Sequence, residues 1–273
     1  MNRIAIHGLP RTGTTWAGEI INSCPDVCYK FQPLFSYAMK GFLGPTSSAE
    51  EIAEFFDRLS QLKDDFCDQV RQRAEGELPT FRKTLISHVA YKEVRYHHVL
   101  HNLARQDTQM KFVLVVRDPV QAIASWLAAP REFRSDVGWN VEQEWRYAPK
   151  KNLNNPESFY GYEKWREAML LFHDLKKRYE ERVFMLNYAR LVQDPLSEVK
   201  ALFQFLGLAL TEQTEVFVSA SRIDKSKTPY GVFRVREKPR FILEERHPNI
   251  VTEIRADVAA SAFAHLLEGG GSR

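Results

Sequence analysis

The sequence predicts a three-layer α/β fold, a central parallel sheet flanked by helices, from three observations. Short apolar runs alternate with amphipathic stretches of helical period along most of the chain. The run Phe112-Val113-Leu114-Val115-Val116 is continuously apolar, as in a strand covered on both faces. Near the N-terminus, Ile4-Ala5-Ile6 leads into a loop bracketed by Gly8 and Gly13, and a helical pattern resumes at Thr14.

At 273 residues the chain suits one large α/β domain, expected over 1–268, with 269–273 as a flexible tail. Hydrophobic residues make 44% and charged residues 27%, and the net charge of +3 is too small to imply a nucleic-acid polymer or a membrane surface as partner. Any positive site must be local. Cys24, Cys28 and Cys67 form no disulfide or zinc pattern, which favours a reducing compartment. Met1-Asn2-Arg3 runs straight into the first strand and no apolar run reaches membrane-spanning length, so a cytoplasmic protein without signal peptide or span is expected.

After the first strand, the helix beyond Gly13 turns Trp16, Ile20 and Ile21 inward, and Ser23-Cys24-Pro25-Asp26 ends it. Pro33-Leu34-Phe35-Ser36-Tyr37 opens a mixed apolar segment closed by the turn Gly44-Pro45. Ile52, Phe55, Phe56, Leu59, Leu62, Phe66 and Val70 recur at helical spacing, which predicts one long amphipathic helix over about 49–74 with its aromatic stripe in the core. Residues 84–94 are β-rich and predict a second strand whose far end presents Lys92, Glu93 and Arg95. His97, His98 and His101 follow on a helix; with no carboxylate or cysteine at matching offsets they read as a solvated face, not a metal site.

Arg117-Asp118-Pro119 stops the central run, and Pro119 opens a helix with Ala122, Ile123, Trp126 and Leu127 inward and Ser125 on another side. Residues 130–156 read as a loop-rich excursion over the carboxyl end of the sheet, where acceptor pockets are commonly built. Trp165, Met169, Phe172, Leu175 and Tyr179 form the stripe of a second long helix with Lys176-Lys177-Arg178 on its wet face. Val183 to Tyr188 is the next strand, and Asp194-Pro195 caps a helix that buries Val199, Leu202, Phe203 and Leu206 and stops at Gly207. A basic segment follows, Lys225, Lys227, Arg234, Arg236, Lys238 and Arg240, which reads either as plain surface or as a lid over an anion.

The interval Gly8-x4-Gly13 followed by Thr14-Thr15 is the spacing of a Walker A phosphate loop, so the fold is expected to be P-loop-like. Thr14 stands where that motif carries lysine, and the loop's one cation is Arg11. Unpaired N–H groups at the helix start, with the positive end of the helix dipole behind them, suit an anion. Two rivals are weighed. A P-loop kinase or nucleotide hydrolase would put Thr15 on magnesium and use Asp118 as its acidic metal residue, but lacks the lysine; a non-catalytic nucleotide-binding or scaffold protein would keep the cradle alone.

Three ordered motifs together resemble one known family. Gly8-Leu9-Pro10-Arg11-Thr12-Gly13-Thr14-Thr15-Trp16, then Val115-Val116-Arg117-Asp118-Pro119 with Ser125, then Asn187-Tyr188 through Asp194-Pro195 to Phe205-Leu206-Gly207-Leu208, look like a PAPS-dependent sulfotransferase over residues 4 to about 208. The resemblance implies that Pro10, Arg11, Thr12, Gly13, Thr14, Thr15 and Trp16 hold the 5′-phosphosulfate end of PAPS, with Arg11 in place of the lysine of many members. It implies that Arg117 and Ser125 take the 3′-phosphate, and that Tyr188 and the basic segment, at Arg234, border the nucleotide. PAPS is then the co-substrate, adenosine 3′,5′-bisphosphate the product, and no metal is needed.

The implied reaction moves a sulfuryl group to a hydroxyl, or as second choice an amine, of a carbohydrate, a lipid-linked sugar or a small phenol. In-line transfer needs cations where the leaving phosphate gains charge and a base for the acceptor proton. Arg11 and Lys92 suit the cationic roles, Lys92 by matching a basic residue that many relatives place before the second phosphate motif. The family's histidine position is Val94 here, and the glutamate position of tyrosylprotein-type members reads Lys30-Phe31-Gln32. The base is therefore open among Glu93, His88 and His7, with Glu93 favoured because it adjoins Lys92. Trp126, Phe133, Trp139, Trp145, Phe159 and Tyr160 are candidate acceptor-pocket aromatics.

Overall fold

Five short apolar segments pair side by side as β1 (Asn2–Gly8), β2 (Val27–Phe31), β3 (His88–Glu93), β4 (Lys111–Val116) and β5 (Val183–Asn187). The structure, a computed structural model, describes residues 1–223, 232 and 242–267. Every pairing is parallel and the order is β2-β3-β1-β4-β5, so the P-loop-like three-layer expectation holds. All five strands therefore end at one edge. Chain leaving β1 crosses to β2 on one side while chain leaving β4 crosses to β5 on the other, which opens a crevice between the ends of β1 and β4.

The helices are α1 (Thr14–Asn22), α2 (Ala49–Gln61), α3 (Val70–Ala74), α4 (Leu100–Gln106), α5 (Pro119–Leu127), α6 (Val141–Glu144) and α7 (Pro149–Asn152). They continue with α8 (Tyr162–Arg178), α9 (Tyr188–Gln193), α10 (Pro195–Leu206), α11 (Glu212–Ile223), α12 (Leu243–Arg246) and α13 (Pro248–Ala259). Alternation along each strand sends Ala5, Val89, Tyr91, Phe112 and Leu114 into a core with α2, α4, α5, α8 and α13. Ile4, Ile6, Ala90, Val113 and Val115 enter the opposite core with α1, α10 and α11. Two caps act where the sequence places them, Asp194 accepting from the Ser197 N–H and Gly207 ending α10 at φ 75°, and the structure adds a third, Asp118 accepting from the Gln121 N–H at the start of α5.

Four points of the sequence reading are corrected. Val27-Cys28-Tyr29-Lys30-Phe31 is an edge strand that the reading in order of elements did not include. The long helix over 49–74 breaks after Gln61: Leu62 is extended, and the Lys30 ammonium holds both the Leu62 carbonyl and, at 2.6 Å, Asp68. That tertiary capture outweighs helix propensity, and it leaves Phe66 and Val70 exposed rather than in the core. The strand expected over 84–94 starts only at His88. His97, read as solvated, is fully buried, whereas His98 and His101 are exposed as expected. Cys24, Cys28 and Cys67 are free thiols, and among the described residues no helix is long and apolar enough to cross a membrane.

The stretch between α2 and β3 is fastened to α1 by a buried ion pair. Arg73 donates to both oxygens of the fully buried Glu19, at 3.1 and 2.7 Å, and also to the Pro79 carbonyl. Asn22 donates to the same carboxylate at 3.0 Å. Breaking such a pair strands a buried charge, so Arg73→Met is expected to cost about 3 kcal/mol, read as a lower urea midpoint with unchanged slope.

Candidate active site

The loop between β1 and α1 is shaped by two glycines. A Cβ at Gly8 would lie 2.8 Å from the Val115 carbonyl oxygen and 2.6 Å from Thr14 Cγ2, so only glycine lets the turn pass this close to β4. Gly13 has φ 92° and a Cβ there would strike the Tyr188 ring at 2.4 Å. Between them Thr12 is fully buried, its hydroxyl donating to the Leu9 carbonyl at 2.7 Å. The helix then begins at Thr14 with no side-chain cap and no acidic residue in its first turn, which leaves its N–H groups and dipole end uncompensated.

Arg117 docks onto this loop, and Arg11 reaches from it to α5. Arg117, one residue past β4, donates from Nη1 to the Arg11 carbonyl at 2.7 Å, and its guanidinium stands 4.5 Å from the Tyr188 ring centroid. Arg11, itself at φ 67°, donates from Nε to the Ser125 hydroxyl at 3.3 Å. Trp16 is half-buried against Tyr188 and its indole N–H donates to Ser221 Oγ at 3.0 Å. Pro10, Arg11, Thr12, Gly13, Thr14, Thr15, Trp16, Arg117, Ser125 and Tyr188 thus form one cluster at the crevice between β1 and β4. Arg234 lies outside the described residues.

Lys92 and Glu93 close the same edge from β3. The Lys92 ammonium lies 4.2 Å from the Phe31 ring centroid, and burial pushes its pKa down. Glu93 is fully buried; Oε1 accepts the Leu34 N–H at 2.8 Å, Oε2 has no hydrogen-bond partner, and desolvation pushes the carboxyl pKa up. Neither a surface ion pair nor an exposed strand end describes this carboxylate. His88 stands at the other end of the sheet, opposite Asn2 in the pairing register, with its ring nitrogens on Asn2 and Ser87. His7 is sealed under the sheet, 3.0 Å from His97 Nδ1 and 3.1 Å from the Tyr91 hydroxyl, and burial pushes its pKa well down.

Two features of this edge escaped sequence reasoning. Glu132, in the excursion after α5, places Oε1 3.9 Å from Arg11 Nη1 while Oε2 is buried without a hydrogen-bond partner. No spacing rule links it to the loop. Backbone strain gathers here as well, with Gln32 at φ 43° after β2 and Tyr96 at φ 58° after β3 joining Arg11. Of the six candidate pocket aromatics, Trp126, Phe159 and Tyr160 line a narrow recess of about 10 Å³ with Leu9, Pro10 and Trp165. Phe133 packs behind Trp126, Trp139 behind Phe133, and Trp145 stacks on Tyr162.

A glycine-bracketed loop at a helix start, with two arginines at the switch point of a parallel sheet, is P-loop-like in class. The family model described as Sulfotransferase domain matches residues 1–230, and the chain belongs to that family. Carbohydrate sulfotransferase 5 of Homo sapiens is 29% identical over 170 residues, 60% of this chain and 40% of that protein, so the chain spans less than half the length of this relative. Solved structures with the same fold include a sulfotransferase from Alicyclobacillus acidocaldarius, TM-score 0.52 at 15% identity, covering 98% of this chain and 94% of that one. Mouse sulfotransferase SULT7A1 complexed with PAP aligns with TM-score 0.51 at 14% identity, over 98% and 88% of the two chains. Retinol dehydratase in a complex with retinol and PAP aligns with TM-score 0.52 at 12% identity, over 99% and 82%.

The close approach of Gly13 to Tyr188 is testable without any ligand. Gly13→Ala should destabilise by about 2 kcal/mol, and in a Tyr188→Ala background only about 1 kcal/mol should remain, the cost of positive φ. A double-mutant cycle on unfolding free energies measures the coupling.

Proposed function

We propose that this chain transfers a sulfuryl group from PAPS to an acceptor hydroxyl, and the observation that carries the proposal is the docking of the Arg117 guanidinium on the Arg11 carbonyl of the glycine loop, which sets two arginines at one crevice. The residues present fit the nucleotide: two glycines keep the cradle clear of side chains, the α1 N–H groups face it, and two arginine forks border it. The loop amides, Thr14, Thr15 and Arg11 hold the 5′-phosphosulfate. Arg117 and Ser125 take the 3′-phosphate, and Tyr188 and Trp16 border the base, with Arg234 proposed to complete the nucleotide site. Support for this donor comes from family membership and from the PAP named in two structures of the same fold.

In the transfer the sulfur–oxygen bond to phosphate breaks, its electron pair stays on the phosphate, and a new bond forms between sulfur and the acceptor oxygen. Arg11 stabilises the charge gained by the leaving phosphate, and Lys92 neutralises the oxygens of the group in flight. Glu93 takes the acceptor proton on Oε2, since Oε1 is held by the Leu34 N–H. No residue role here calls for a metal, in contrast to a P-loop kinase. Similarity to a carbohydrate sulfotransferase supports a sugar hydroxyl as acceptor. The deciding experiment supplies PAPS in EDTA with pooled glycosides and phenols: a gain of one sulfuryl mass on any acceptor supports the proposal, and magnesium-dependent use of ATP instead refutes it.

Arg117→Ala should weaken binding of adenosine 3′,5′-bisphosphate about 100-fold, close to 3 kcal/mol, by calorimetric titration. Glu93→Gln should lower turnover roughly 100-fold with nucleotide affinity kept. The carboxyl accepts a proton only when ionised and its pKa is raised, so wild-type kcat/KM should climb with pH over a range above that of an ordinary carboxylate. In Glu93→Gln that ascending limb should vanish.

A further inference from the structure

Two more cations stand at the carboxyl edge, away from the donor cradle. Arg95, just past β3, has its guanidinium carbon 4.4 Å from the Phe35 ring centroid and 5.8 Å from that of Tyr160. The Lys151 ammonium, from α7, is 4.8 Å from the same Tyr160 ring. Both residues are half-buried, and among the described residues neither forms a salt bridge. Glu132 is the nearby acid; its Oε1 lies 3.9 Å from Arg11 Nη1, and its charge partly offsets the cost of burying Lys151 without forming a salt bridge to it. Two like charges against one ring, partly stripped of water, repel each other, and burial pushes the Lys151 pKa down, with the Arg95 charge acting the same way against Glu132.

Their place in the fold separates them from the nucleotide. Trp16 packs with the α1 and α10 core, while Tyr160 belongs to the opposite core and lines the recess beside Leu9 and Pro10. An acceptor lying across the mouth of that recess, beside Pro10, carries its neighbouring substituents past Tyr160. Forked and point cations on an aromatic floor recognise a carboxylate or a sulfate ester, whose charge they share.

We propose that Arg95, Lys151 and the Tyr160 ring form a seat for an anionic group on the acceptor, so that the substrate is an acidic hydroxyl compound such as a uronic acid or an already sulfated sugar. This rests on the sulfotransferase reading above and adds the charge of its acceptor. The test uses the full chain saturated with adenosine 3′,5′-bisphosphate, whose own titration reports on the donor site separately. Phenyl β-glucoside, phenyl β-glucuronide and phenyl β-glucoside 6-sulfate are titrated in turn, identical but for the substituent at carbon 6.

Either anionic glycoside should bind at least tenfold tighter than the neutral one, and which of the two leads distinguishes carboxylate from sulfate ester. Arg95→Gln with Lys151→Gln should erase the preference, Lys151→Gln alone should reduce it at least threefold, and affinity for the nucleotide should stay within twofold in both. Equal binding of all three glycosides, no binding of any, or a preference unchanged in the Lys151→Gln variant overturns the proposal. Loss of nucleotide binding in the wild type would instead overturn the donor reading.

Discussion

The hydrogen bond from Arg117 to the Arg11 carbonyl joins the two strand ends on which the site depends. One partner lies on the loop after β1 and the other just past β4, so the bond spans the crevice where the sheet connections diverge. It also fixes a charge. With its guanidinium stacked on Tyr188 and one N–H spent on backbone, Arg117 has little freedom left, and a preorganised fork loses less entropy on meeting an anion than a mobile one.

Strain at this edge is part of the same arrangement. Arg11, Gln32 and Tyr96 each hold positive φ within three residues of the ends of three neighbouring strands, a cost of order 1–3 kcal/mol apiece. The sheet below is the compensation: β1 and β4 are buried on both faces and the two cores are continuous with them. A rigid floor therefore carries a strained rim, and the rim is where the charged side chains are.

The polar groups beneath the rim divide by how they are satisfied. His7 and His97 are neutral through burial, and each ring uses Nδ1 on the other, so one donates and one accepts. They are sheet and core residues, His7 joined also to Tyr91. Glu93 differs in being an acid at the carboxyl edge with one oxygen unmatched, and its burial raises the carboxyl pKa toward the range useful for proton transfer.

The sequence by itself determined four of the five strands and the helices that follow them, the glycine loop, and the caps at Asp194 and Gly207. These are local properties: apolar period, turn chemistry and capping act over a few residues and can be read there. Tertiary structure decided the rest. The edge strand Val27–Phe31 carries a buried lysine that masks its pattern, and the helix expected over 49–74 stops because that lysine, distant in sequence, takes the Leu62 carbonyl. His97 is buried by partners some 90 positions away on β1, and Glu132 meets Arg11 only because the excursion after α5 folds back over the loop. Desolvation and long-range ion pairing depend on which segments the chain brings together, and no window along the sequence contains both partners.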